Sequence, residues 1–169
     1  EIASCLVGSE MCIRDRTPRV VIITGISGAG RRTAAHAVED LGWYVVDNLP
    51  PAMLGALVDE IAANNIDRLA VVLDVRSRIM FDALGVAVNA LDERGIDPAI
   101  VFLEASDETI VRRQESSRRP LPLQQGGHLL DAVALERRML SDLRAEADLV
   151  IDTTSVSYTH LRAHETRGN

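Results

Sequence analysis

The sequence predicts an α/β fold, a three-layer α/β/α sandwich on a mainly parallel sheet of about five strands. Three observations carry that expectation. Short apolar runs alternate along the chain with longer amphipathic stretches. The runs are continuous in their hydrophobicity, as in strands of a sheet covered on both faces. Helical stretches separate them, which implies right-handed crossovers and parallel pairing.

The elements follow in order. VVIIT at 20–24 is the first strand, and an alanine-rich helix over about 31–41 comes after a glycine-rich turn. Gly42 closes that helix, as a glycine past a helix end does. WYVVD at 43–47 is the second strand. Asp47 or Asn48 can cap the next helix or meet a ligand, and Pro50-Pro51 suits its opening, over about 52–63. LAVVLD at 69–74 is the third strand, followed by Val75-Arg76-Ser77 and a helix to about Arg94. Gly95-Ile96-Asp97-Pro98 turns the chain into AIVFLE at 99–104, the fourth strand. Ser106 with Asp107 can cap a helix over about 108–116. A loop at 117–127 rich in Arg, Pro, Gln and Gly leads to a helix over about 129–146, and DLVID at 148–152 is the fifth strand.

A length of 169 residues suits one domain, and a 47% hydrophobic composition can bury a real core. No apolar run is long enough to span a membrane. The net charge of −7 argues against general attraction to nucleic acid. The chain has no lysine, and all 18 basic residues are arginine. With its abundant Ala, Val and Leu, this looks like the product of a GC-rich bacterial gene.

Both termini look foreign. Residues 6–15, LVGSEMCIRD, back-translate to CTC GTG GGC TCG GAG ATG TGT ATA AGA GAC. Residues 156–166, VSYTHLRAHET, back-translate to a string whose first ten codons are the reverse complement of that one. The pair resembles a transposase sequencing adapter read in both directions. The expected organisation is therefore 1–16 adapter-derived, 17–155 a single domain, and 156–169 adapter-derived. Cys5 and Cys12 both lie in the first stretch, so no disulfide or thiol chemistry is expected in 17–155. His160 and His164, spaced like a metal pair, lie in the last.

The chemistry centres on Gly25-Ile26-Ser27-Gly28-Ala29-Gly30-Arg31-Arg32-Thr33. A strand, a glycine-rich loop and a helix N-terminus form a phosphate cradle, because glycine lets successive N–H groups turn toward an anion. Against the Walker A pattern G-x-x-x-x-G-K-[ST], Gly25 and Gly30 fall on the glycines. Arg31 stands for the lysine, and Arg32 for the hydroxyl residue that would hold Mg²⁺. Thr33 offers a hydroxyl one residue late, about 100° round the helix. Arginine can still grip phosphate, as a planar fork. The bland alternative is a glycine-rich turn with no ligand.

Ligands of an open parallel sheet bind beyond the carboxyl ends of its strands. That edge collects the 25–33 loop, Asp47 and Asn48, Asp74 to Ser77, Glu104 to Ser106, and Asp152 to Thr154. Asp74 ends its strand in the manner of a Walker B carboxylate, which would hold Mg²⁺; an ordinary loop cap is the alternative. Arg76 and Arg78 can reach phosphate or stay solvated. Arg112, Arg113, Arg118 and Arg119 form either a lid that steadies phosphoryl charge or a solvated face. His36 reads as structural, and His128 has no identifiable partners.

These residues bear a family resemblance. Gly25 to Gly30, AVEDLGWYVVDNLP at 37–50, Asp74-Val75-Arg76-Ser77 and VIDT at 150–153 resemble the RapZ/YvcJ family of bacterial P-loop nucleotide-binding proteins. ESSRRPL at 115–121 is similar to that family's arginine-rich loop. The resemblance implies a cytoplasmic protein that binds ATP and GTP with Mg²⁺ and hydrolyses them weakly. It assigns the ATP phosphate loop to Gly25, Ile26, Ser27, Gly28, Ala29, Gly30, Arg31 and Arg32. It associates GTP with Asp74, Val75, Arg76 and Ser77. Some members act as RNase adapters that bind small RNA, through a C-terminal domain that this chain lacks. Arginine in place of the P-loop lysine is similar to the actinobacterial branch, which however carries serine where this chain has Arg32. Two other functions fit the residues: a small-molecule P-loop kinase, and an interaction domain whose nucleotide pocket has decayed.

Overall fold

The computed structural model describes residues 18–74, 78–117 and 129–156. In chain order these form β1 (Arg19–Gly25), α1 (Arg31–Asp40), β2 (Tyr44–Asp47), α2 (Leu54–Ala63), β3 (Arg68–Val72), α3 (Arg78–Asp92), β4 (Ala99–Glu104), α4 (Asp107–Ser117), α5 (Leu129–Met139), α6 (Ser141–Glu146) and β5 (Leu149–Asp152). The strands make one parallel sheet in the order β2-β3-β1-β4-β5. The expected α/β sandwich is the observed architecture.

Strand order fixes where the helices lie. Only the β1-to-β2 connection runs toward the β2 edge; the others run toward β5. Right-handed crossovers therefore place α1 on one face and α2 to α6 on the other. Ile22, Leu69, Val71, Phe102 and Ile110 are buried at the centre, as continuous apolar strands demand. The two faces of β4 are told apart by their neighbours. Glu104 meets Arg144 of α6, whereas Leu103 shares a groove with Ala34 and Ala37 of α1.

Local chemistry explains most boundaries. Gly42 has φ +81° and donates its N–H to Glu39 O at 2.8 Å, closing α1 as expected. The proline pair opens a short 3-10 turn, Pro51–Met53, which runs directly into α2. Ser106 Oγ accepts the Thr109 N–H at 3.3 Å, the expected cap of α4.

Three expectations need correction. The third strand stops at Val72, so Asp74 lies beyond its end; Leu73 N–H still donates to Ile23 O at 2.9 Å. Neither Asp47 nor Asn48 caps the following helix: Pro50 precedes the 3-10 turn and Met53 stands at the N-cap of α2, while Asn48 turns the chain at φ +59°. The helix expected over 129–146 bends at Leu140, where φ −98° and ψ 6° depart from helical values. Its backbone hydrogen bonds continue through the bend, from Leu140 N–H to Glu136 O and from Arg144 N–H to Leu140 O. The bend leaves Leu140 and Leu143 both buried.

Candidate functional site

The glycine loop leaves the central strand at its carboxyl end. Gly25 has φ +142°, and a Cβ there would stand 2.1 Å from Leu103 O, so β4 packs against bare backbone. Ile26 N–H donates to Leu103 O at 3.0 Å and holds the loop's first residue down on the sheet. Gly28 and Gly30 also take positive φ, +88° and +95°, and Gly30 caps α1 without a side chain.

Ala34 N–H is the first α1 donor bonded back into the turn, to Gly30 O at 3.0 Å. The N–H groups of Arg31, Arg32 and Thr33 therefore have no acceptor within the helix. The first turn carries no acidic residue. Its backbone partial charge and two arginines make this end of α1 suited to an anion.

Arg31 reaches across to the neighbouring strand. Its Nη1 donates to Asp74 Oδ1 at 2.9 Å and to Leu73 O at 3.2 Å, with both side chains largely buried. The loop and the carboxylate that separate sequence motifs assign to one site are thus in direct contact.

Two long-range clamps fix the loop. Glu136 of α5, only 4% exposed, accepts the Ser27 N–H at 3.1 Å and the Ser27 hydroxyl at 2.7 Å through one carboxylate oxygen. Arg113 of α4 donates to Gly28 O at 3.1 Å and to Thr153 O at 2.7 Å, joining the loop to the chain after β5. The Thr153 hydroxyl donates to Ala29 O at 2.8 Å.

The rim beside the loop is electrostatically organised. Glu104 and Asp152 stand opposite each other in the β4–β5 register. Arg144 grips Glu104 with two bonds, Nε to Oε2 at 2.7 Å and Nη2 to Oε1 at 2.9 Å. Those bonds hold the Glu104 carboxyl below the usual carboxylate range, against its partial burial and the charge of Asp152. Bonds from the Thr154 hydroxyl and N–H hold the Asp152 carboxyl low in the same way.

The structure brings together Gly25, Ile26, Ser27, Gly28, Ala29, Gly30, Arg31 and Asp74. Arg32 is exposed, and Thr33 faces a groove beside α1. Val75, Arg76 and Ser77 lie outside the described residues, as do Arg118, Arg119 and His128. Of the arginine cluster, Arg112 is exposed and Arg113 is built into the loop clamp. His36 is exposed on α1, with Nδ1 3.4 Å from Glu39 Oε2, and takes no part in the core. Among the described residues no group of three or more His, Cys, Asp or Glu could hold a metal. Sequence reasoning missed Glu136. Its signal was an acidic residue inside the buried stripe Ala132, Val133, Leu140 and Leu143.

Comparison with known proteins adds to this geometry. The family model of the RapZ-like N-terminal domain matches residues 19–167. A nucleotide-binding protein of Cutibacterium acnes is 96% identical over 146 residues, covering 86% of this chain and 50% of that protein. A nucleotide-binding protein of Streptomyces coelicolor is 55% identical over 148 residues, with the same coverage of 86% and 50%. The chain spans about half the length of these relatives. Among solved structures, a shikimate kinase from Bacteroides thetaiotaomicron superposes with a TM-score of 0.58 at 15% identity, covering 88% of this chain and 95% of that one. A second, from Acinetobacter baumannii in complex with shikimate, gives 0.56 at 15% identity, over 90% and 97%. At that identity the likeness is one of fold alone.

Proposed function

The chain belongs to the RapZ-like N-terminal domain family, and from that premise we propose that it is a regulatory nucleotide-binding domain for ATP or GTP with weak hydrolytic activity. One observation carries the reading. The glycine loop and the uncompensated N-terminus of α1 sit at the carboxyl end of the central strand, with Arg31 touching Asp74 there. Backbone N–H groups at such a helix end suit phosphate oxygens. The relatives' shared description as nucleotide-binding supports a nucleoside triphosphate as the anion's source.

The residues fit Mg²⁺ in one specific way. Mg²⁺ is usually held by one or two carboxylates together with nucleotide phosphates and water, and Asp74 is the carboxylate at this loop. Asp74 is the proposed metal-holding and catalytic residue. When bound, the ion neutralises charge on the phosphates. Arg31 then has two possible anionic partners, the phosphate and Asp74, and the nucleotide would draw it from one to the other. Arg32 contributes no hydroxyl, which accords with weak hydrolysis. The proposed GTP contacts of Val75, Arg76 and Ser77 belong to the same reading, as does a cytoplasmic location. Among the described residues no helix is long and apolar enough to cross a membrane. An RNase-adapter role is proposed only for the full-length protein, since the −7 charge gives this chain no general pull toward RNA.

Equilibrium titration with fluorescent ATP and GTP analogues, with and without Mg²⁺, tests the reading. Arg32→Ser is run beside the parent chain. The expected result is Mg²⁺-dependent binding by both, tighter in the serine variant. No binding by either, from protein shown to be folded, would leave an interaction domain. Turnover stimulated by an added small alcohol would instead favour a kinase.

A further inference from the structure

A groove of about 530 Å³ runs between α3 and α6, on the sheet face opposite α1. Its floor is apolar, with Leu84, Ile100 and Leu143 buried and Phe81 beside them. A carboxylate stands on each side, Asp82 on α3 and Glu146 at the end of α6. Both residues are exposed, and among the described residues neither side chain has an ion-pair or hydrogen-bond partner. Asp59, Glu104 and Asp107, by contrast, each hold an arginine.

The α3 surface that borders this groove is unusual for a solvated helix face, which is normally polar. Ile79, Asp82, Val86 and Asn89 stand at i, i+3, i+7 and i+10, one stripe of the helix. Ile79 is 81% exposed and Val86 70%. Gly85 lies beside Val86 in mid-helix, where glycine is less stable than alanine. The fold does not require a glycine there: its φ is not positive, and a Cβ would meet nothing within 4 Å among the described residues. What the bare backbone does provide is room for another helix to come close.

We propose that this groove docks an amphipathic helix of a partner protein, apolar along one side and carrying arginine or lysine at its flanks. Charge complementarity selects that occupant. Asp82 and Glu146 offer their carboxylates to its basic groups, while the apolar floor takes anchors spaced at i, i+3, i+4 and i+7. A second copy of this chain would bring its own Asp82 and Glu146 to the same place, against a net charge of −7. Nucleic acid and anionic membranes are repelled in the same way. The proposal goes beyond nucleotide binding and does not depend on it.

Nuclear magnetic resonance titration of the isotope-labelled chain with a designed helical peptide of about 15 residues tests it. The peptide carries leucine at i, i+3, i+4 and i+7 and arginine on its flanks; a copy with glutamate for arginine is the control. Shifted amide signals are expected to cluster on α3 and α6, with the control binding about tenfold or more weakly. Gly85→Gln fills the rim without changing the charge. It should leave the Tm equal or higher, because glutamine is the better helix former, while weakening the arginine peptide about tenfold. Asp82→Asn combined with Glu146→Gln should weaken it to a similar extent. Undiminished binding by either variant, shifts centred elsewhere, or no binding by the folded chain would overturn the proposal. A dimer of this chain that Gly85→Gln abolishes would assign the groove to a second copy instead.

Discussion

Arg31, the first residue of α1, and Asp74, just beyond the end of β3, form an ion pair, Nη1 to Oδ1 at 2.9 Å, at the mouth of the glycine loop. The residue expected to grip phosphate and the residue expected to hold a metal are therefore partners before any nucleotide arrives. On the proposed reading, nucleotide binding would redistribute this pair.

Asp74→Asn keeps the shape of the side chain and removes its charge. The Mg²⁺-dependent part of nucleotide affinity is expected to fall by about tenfold, or ~1.4 kcal/mol, with binding in EDTA little changed. Calorimetric titration with and without Mg²⁺ reads the difference. An unchanged Mg²⁺ dependence would remove Asp74 from the metal site.

Gly25→Ala tests the close approach of loop and strand. The new Cβ would stand 2.1 Å from Leu103 O at φ +142°, where both space and backbone conformation reject it. Chemical denaturation should show a loss of roughly 2–4 kcal/mol. A cost below about 1 kcal/mol would mean that β4 yields easily at this point.

Glu136→Ala would leave the buried Ser27 N–H and hydroxyl without their carboxylate acceptor. A loss of about 1–3 kcal/mol is expected in denaturation, accompanied by weaker nucleotide binding. Glu136→Gln retains one acceptor oxygen and should restore much of both. If the glutamine variant behaves like alanine, the charge and not the hydrogen bonding positions the loop.

Glu104 makes stability depend on pH. Its carboxyl is held low in the fold by Arg144, so its contribution is present above the unfolded value of about 4.3 and is lost as pH falls through the folded value. Glu104→Gln should therefore be less stable than the parent at pH 7. The gap should close as the pH is lowered below about 4. Thermal melts across that range check it, and a gap that persists in acid would assign the loss to packing.

Much of the fold was legible because its signals are local. Continuous apolar runs such as LAVVLD, the glycines of the first turn, and Gly42 after α1 each act through their own backbone or nearest neighbours. The failures were also physical. Asp74 was read as the strand's last residue because hydrophobic pattern cannot locate the last ladder bond, which closes at Leu73. The bend at Leu140 keeps its hydrogen bonds, so no breaker residue announces it.

The sequence by itself determined the α/β class, the glycine loop at a strand end, and the acidic residue that would face it. Those follow from residue type and spacing along one segment. Only the tertiary structure decided that Arg31 pairs with Asp74 at a separation of 43 residues, that Glu136 reaches Ser27 across 109, and that Arg113 ties the loop to Thr153. Strand order governs all of these, because it sets which distant side chains share an edge and which face each crossover covers.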